Sequence, residues 1–317
     1  MKFPVFDLHC DTALVLLGRD FQANESLKRN THHIDLMRAG KLDGFTQCFA
    51  CFTTNWAELP NGLTAMDIFE RELAVILREL SQNSDVICQA YTAEDVVRNQ
   101  ENGLMSGILT IEGPAGIGYN PARLEELYKI GFRMTTLGWN EKNFLTGSHS
   151  TGGGLTDLGK EYVKEAQRLG MIVDVSHISD EGFWDIMEIS SAPVVASHSN
   201  SRFVHNMSRN LTDDMFRAIC ETGGVVGFNL FGEFIGEKPD MEMVCRHFLH
   251  FLELDPEGKH LALGGDLDGC DVLPEGFSGI QDYPLIAQKL LSYGLHEEMV
   301  YNIFWNNALG VMKRCCM

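Results

Sequence analysis

Met171-Ile-Val-Asp-Val-Ser-His177 and Pro193-Val-Val-Ala-Ser-His198 each read as a short run of β-branched residues that ends in a histidine. Between them, residues 178–192 read as one helix, with Ser179 as its N-cap and Asp180 and Glu181 in its first turn. Strand, helix and strand make a crossover, the unit of a parallel sheet. Both strands of such a unit point the same way, so both histidines emerge at one sheet edge. A lone strand-end histidine is ordinarily a hydrogen-bonded structural residue. Two of them at the carboxyl ends of neighbouring parallel strands begin a metal site.

Outward from this unit, further strands are predicted at 5–11, 44–52, 104–112, 132–139, 225–231 and 260–266, making eight in all. Helices are predicted between them at 64–82, 124–130, 158–169, 212–221, 241–252 and 283–292, with a closing helix at 296–313. Eight βα units without a linker or low-complexity break predict a single (β/α)8 TIM barrel, one domain over residues 1–317. The main alternative, a doubly wound open sheet, lacks the Gly-x-Gly-x-x-Gly turn after its first strand that a dinucleotide site would need.

A barrel collects its chemistry at the carboxyl ends of its strands. The first predicted strand ends His9-Cys10-Asp11, with two ligand-type groups two residues apart and so on one side. The third ends at Glu112 beside Gly113, the fifth and sixth supply His177 and His198, and the eighth ends Gly264-Gly-Asp266-Leu-Asp268-Gly269. His32, His33 and His149 fall in loops and are expected to be solvated. Gly152-Gly-Gly154 has no Lys-Ser or Lys-Thr after it, so it reads as a flexible lead into a helix capped by Thr156. Asp266 to Gly269 follows a strand and loses the spacing of a calcium loop. Cys48 and Cys51 lie three apart in a strand, hence on opposite faces, and read as core thiols; Cys315-Cys316 is expected on a frayed end.

The chain carries 44 acidic against 25 basic residues, a formal charge of −19. That field repels nucleic acid and anionic membranes, so neither is an expected partner. Residues 1–25 carry charges including Asp7, Asp11 and Glu25 and do not form a signal peptide. No apolar run is long enough to span a bilayer. Nine scattered cysteines, an odd number, fit reduced thiols and a cytoplasmic location.

With these residues placed, the chain resembles the membrane dipeptidase (renal dipeptidase) family of zinc peptidases in its bacterial cytosolic form. The motifs are Asp7-Leu-His-Cys-Asp11, Ile111-Glu-Gly113, Asp174-Val-Ser-His177, Ser197-His-Ser-Asn-Ser-Arg202, Ser208-Arg-Asn210 and Gly264-Gly-Asp-Leu-Asp-Gly269. The resemblance implies a barrel of the metal-dependent hydrolase type and two zinc ions, one on His9 and Asp11, the other on His177 and His198, with Glu112 bridging. It implies Asp266 as catalytic acid/base and Arg209 as the group that binds the substrate carboxylate. The implied substrates are dipeptides, including those with a C-terminal D-residue; an N-acyl amino acid deacylase or other amidohydrolase on the same barrel is the alternative. A homodimer stays open. A phosphotriesterase-type site would usually bridge its metals with a lysine on strand four, and that strand has none. A non-catalytic metal-binding barrel would not require Asp266 or Arg209. One position departs from the family: Trp139 stands where a substrate-contacting histidine is common. Indole offers one N–H donor and no acceptor, so the expectation is either an apolar pocket wall at Trp139 or a takeover of the contact by His149.

Overall fold

The computed structural model describes residues 3–18, 21–23, 25–56, 59 and 62–316, which include every candidate site residue. Its strands are β1 (Val5–Cys10), β2 (Phe45–Phe52), β3 (Ile87–Gln89), β4 (Met105–Glu112), β5 (Phe132–Thr136), β6 (Ile172–Asp174), β7 (Val194–Val195), β8 (Val226–Phe228) and β9 (Leu261–Leu263). Hydrogen bonding runs in the order β7-β6-β5-β4-β2-β1-β9-β8, with β3 attached to β4 outside this path. A parallel bridge between Ala196 and Val226 joins the two ends. There the Ala196 amide donates to the Val225 carbonyl at 3.1 Å and the Gly227 amide to the Ala196 carbonyl at 2.8 Å. The eight strands on the path therefore close into the (β/α)8 barrel that strand counting predicts. Strand β3 and the following helix Ala93–Glu101 were not anticipated, although Thr92 and Asp95 form a reciprocal capping box at that helix start.

The strands stop short of their predicted ends: β6 closes at Asp174, β7 at Val195 and β9 at Leu263. Buried aspartates take over the ladder bonds at those points. Asp174 Oδ1 accepts the amides of Ser176 at 2.9 Å and Ser197 at 2.8 Å. Asp7 accepts the amide of Gly265 and the phenol of Tyr283. His177, His198 and Asp266 are thus carried on turns that leave the sheet, rather than on the strands themselves.

One apolar layer fills the lower barrel. Phe6, Leu8, Cys48, Ile108, Met134, Ile172, Val195 and Ala262 point inward from successive strands. Ala308, Val311 and Met312 of the terminal helix Asn307–Cys315 plug its floor, with Trp305 from the π-helical turn Asn302–Asn306 edge-on to Phe6. Cys315 and Cys316 are buried in this plug, which corrects the expectation of a frayed end: the last turn is held by the core it caps. Cys48 belongs to this inner layer and Cys51 to the layer between strands and helices, as the alternation requires.

Candidate active site at the carboxyl face

His9, Asp11, Glu112, His177, His198 and Asp266 converge above the apolar layer, each 7% exposed or less. His9 comes directly from β1, and Asp11 is the N-cap residue of the helix Thr12–Leu17 that follows. Glu112 is the last residue of β4, followed by Gly113 at φ 70°, where a Cβ would strike the Thr53 carbonyl. His177 and Asp266 turn inward at φ 69° and 56°, a left-handed conformation that His and Asp tolerate better than branched residues.

The Glu112 carboxylate faces two ways. Its Oε2 lies 3.3 Å from His9 Nε2; its Oε1 lies 3.0 Å from His177 Nε2 and 3.6 Å from His198 Nε2. His9 Nε2 also stands 3.5 Å from Asp11 and 3.7 Å from Asp266. It nevertheless has hydrogen-bond geometry with none of the three carboxylates, and Asp11 Oδ1 is likewise a buried atom without a partner. The two facing nitrogens of His177 and His198 are 3.0 Å apart.

Electrostatics sharpen the picture. Burial pushes Glu112 up to about 8 and Asp266 up to about 6. Burial pulls the His177 and His198 imidazoles well below their ordinary range. At His9 burial acts in the same sense, but the Glu112 and Asp11 charges outweigh it and hold the ring well above that range. A cluster of crowded, buried carboxylate oxygens and imidazole nitrogens, with His9 Nε2 and Asp11 Oδ1 left unpartnered, is the donor set that a divalent cation satisfies. Among the described residues, two such groups fall within metal-binding reach: His9, Glu112 and His198; and His9, Asp11 and Asp266. The residues present therefore fit a metal centre. The second grouping adds Asp266, which the sequence reading keeps off the metal.

The two remaining sequence candidates line or flank this centre. Arg209 is buried; one terminal N–H group donates to Ser199 Oγ at 2.7 Å, while Nε and the other terminal nitrogen have no partner. Its guanidinium lies 5.5 Å from the Phe234 ring. Trp139 packs edge-on against Phe52 at 5.2 Å and stands 6.4 Å from His177. Trp139 and Phe52, with Leu14, Phe231 and Phe234, give apolar walls to a cavity of about 180 Å³ whose polar floor includes Asp11, Glu112, His177 and Asp266.

Two expectations of solvated loop histidines are corrected. His33 is tied to the loop after β9: its amide donates to Asp268 Oδ1 at 2.6 Å and its Nδ1 accepts from the Asp268 amide at 2.9 Å. Thr12 also donates to Asp268, so this aspartate anchors the loop that carries Asp266. His149 lies 6.2 Å from His177, ring centre to ring centre, and is bonded to Asn140 and Ser208. Burial, and next the Arg209 charge, hold it down to about 4.

Other supporting residues escaped the sequence reading. Asn229 donates to Asp266 Oδ2 at 3.0 Å and to the His198 carbonyl at 3.2 Å. Asn140 Oδ1 meets His177 Nδ1 at 2.8 Å. A side-chain amide has no periodicity to betray it, and only the spacing of Asp7 and Asp174 before their histidines carried a signal.

The described residues contain no helix long and apolar enough to cross a membrane. Comparison with known proteins gives a consistent answer. An uncharacterised dipeptidase of Schizosaccharomyces pombe is 34% identical over 69% of this chain and 54% of its own length. The chain thus spans about half of that relative. A protein of Klebsiella pneumoniae encoded in the pqqA 5′ region is 30% identical over 78% of this chain and 96% of its own. Among solved structures, a Rhodobacter sphaeroides metallo peptidase liganded with a phosphinate mimic of L-Ala-D-Ala superimposes with a TM-score of 0.88 at 28% identity, over 99% of this chain and all of the other. Dipeptidase AC, a metallo peptidase, superimposes at 0.87 with 28% identity over 100% of this chain and 99% of its own. The model of the membrane dipeptidase family matches residues 1–316, and with the barrel and its acid-and-histidine centre in view, the chain belongs to that family, peptidase family M19.

Proposed function

We propose that the chain, as a single barrel domain, is a binuclear zinc dipeptidase. His9 and Asp11 would hold one ion, His177 and His198 the other, and Glu112 would bridge them. The observation that carries this is the divided carboxylate of Glu112, one oxygen toward His9 and the other toward His177 and His198. Zinc held there would polarise the scissile carbonyl and lower the pKa of water to roughly 7.

The remaining chemistry falls to the chain's own side chains. Asp266 takes a proton from the attacking water and returns it to the leaving amine. Asn229 occupies its Oδ2, so Oδ1 is the atom that faces the centre. The two unpartnered nitrogens of buried Arg209 suit the free carboxylate of a dipeptide, since a buried guanidinium is held by charge-assisted pairs. The Rhodobacter sphaeroides peptidase binds a mimic ending in D-Ala, which supports including dipeptides with a C-terminal D-residue. Trp139, beside Phe52, favours a bulky apolar group next to the scissile bond. All nine cysteines are unpaired, which supports a reducing, cytoplasmic setting.

The test is zinc loading followed by metal analysis and a dipeptide panel with free and amidated carboxyl ends. Two tightly bound zinc ions and selective cleavage of the free acids are expected; less than one bound zinc overturns the reading. Arg209→Met should lower kcat/KM roughly 10- to 150-fold on the free acids, the worth of one charge-assisted hydrogen bond, and hardly at all on amides.

A further inference from the structure

We propose that Asn140 is a positioning residue that fixes the proton of His177 on Nδ1, so that Nε2 presents a lone pair to the metal centre. This inference rests on the binuclear site proposed above and deepens it. The geometry is a single amide oxygen shared between two rings: Asn140 Oδ1 lies 2.8 Å from His177 Nδ1 and 2.9 Å from His149 Nε2. A carbonyl oxygen only accepts, so both of those ring nitrogens must carry hydrogen. His149 is itself held at its other nitrogen, where Nδ1 meets Ser208 Oγ at 3.0 Å.

His198 shows why His177 needs such a partner. The hydroxyl of Ser197 gives its hydrogen to Asp174 and therefore accepts from His198 Nδ1 at 2.6 Å. The tautomer of His198 is thus set by a buried aspartate acting through a serine. His177 has no such aspartate; Asn140 takes that part. Without it, a proton on His177 Nε2 could bridge to His198 Nε2, 3.0 Å away, or to Glu112 Oε1, also at 3.0 Å. Either bond would close the centre to a cation. The backbone holds the two segments together: the His149 amide donates to the His177 carbonyl at 2.8 Å, and Ser148 and Ile178 form an antiparallel bridge. Partners that orient a metal-binding histidine typically change affinity by about 10- to 100-fold.

Two variants separate the possibilities. Asn140→Asp keeps an acceptor and removes the donor; Asn140→Leu removes both. Zinc affinity, measured by competition with a chelating dye, should fall about 10- to 100-fold in the Leu variant and stay within about threefold of wild type in the Asp variant. In metal-free protein, long-range proton–nitrogen NMR of the histidine rings should show His177 protonated on Nδ1 in wild type and the Asp variant, and shifted to Nε2 in the Leu variant. The proposal fails if the Leu variant keeps wild-type affinity and tautomer. It fails equally if the Asp variant behaves like the Leu variant, for then the amide donates. Wild-type protein that binds no zinc would sink the binuclear reading, while the ring tautomers would still judge Asn140.

Discussion

At the amino ends of the strands the barrel interior is filled by Phe6, Leu8, Cys48, Ile108, Met134, Ile172 and Val195; a few residues further along, it holds His9, Glu112, His177, His198 and Asp266. The lower layer is stabilised by non-directional burial, which any well-fitting apolar side chains supply. In the upper layer the lone pairs are directed, His9 Nε2 and Asp11 Oδ1 lack partners, and three non-glycine residues, His177, Asp266 and Asp268, sit at positive φ. Groups arranged this way reduce stability and persist because the surrounding structure enforces them. The floor therefore holds the barrel closed, and the upper face spends some of that stability on chemistry.

The contrast is tested most strongly at Asp266. Asp266→Asn should lower kcat by roughly 10² to 10⁴ with both metals retained, while thermal stability of the metal-free protein holds or rises as a buried like charge is removed. Metal loss rescued by excess zinc would instead make Asp266 a ligand, as its grouping with His9 and Asp11 allows.

Ile108→Ala is the mirror experiment. Denaturant unfolding should show a loss of about 2–5 kcal/mol from the cavity left in the lower layer. Zinc stoichiometry and KM of the folded enzyme should stay unchanged. A change in KM without a change in stability would erase the distinction between the layers.

Acid should expose the polar side first. His247 is buried, accepting from the Ser201 amide at Nδ1 (3.1 Å) and donating from Nε2 to the Ile235 carbonyl (3.0 Å). Burial holds it down to about 4. The folded state thus prefers the neutral ring, so its contribution is present in full above the unfolded value of about 6.5 and is lost as pH falls from there to about 4. The expected loss is about 3 kcal/mol over that window, read as a falling unfolding midpoint. His247→Gln should flatten this slope; an unchanged slope would assign the acid sensitivity elsewhere.

Trp139→His gives the smallest effect. It should raise kcat/KM for Gly-D-Ala relative to a dipeptide with a large apolar residue. A flat ratio with a melting temperature lowered by several degrees would place Trp139 among the structural residues, beside Phe52.

The eight strands and the N-caps at Ser179 and Thr156 were legible because they are local: branched runs, turn residues and hydroxyl spacing act within a few residues. The ends of the strands were misread because β6 and β9 are terminated by bonds to the carboxylates of Asp174 and Asp7, not by a breaker residue in the run itself. His33 and His149 were misread because a loop sequence does not say what it lies against.

Residue types and order determined the barrel, the apolar inner layer and a set of imidazoles and carboxylates bound for one face. Periodicity and strand direction are properties of the chain itself. Only the tertiary structure decided how those groups meet: that Glu112 divides its oxygens, that Asn140 and Asn229 orient His177 and Asp266, and that two nitrogens of Arg209 stay unpaired. These are contacts between segments tens to hundreds of residues apart, set by directional hydrogen bonds with a reach of about 3 Å. No pattern along the chain encodes them.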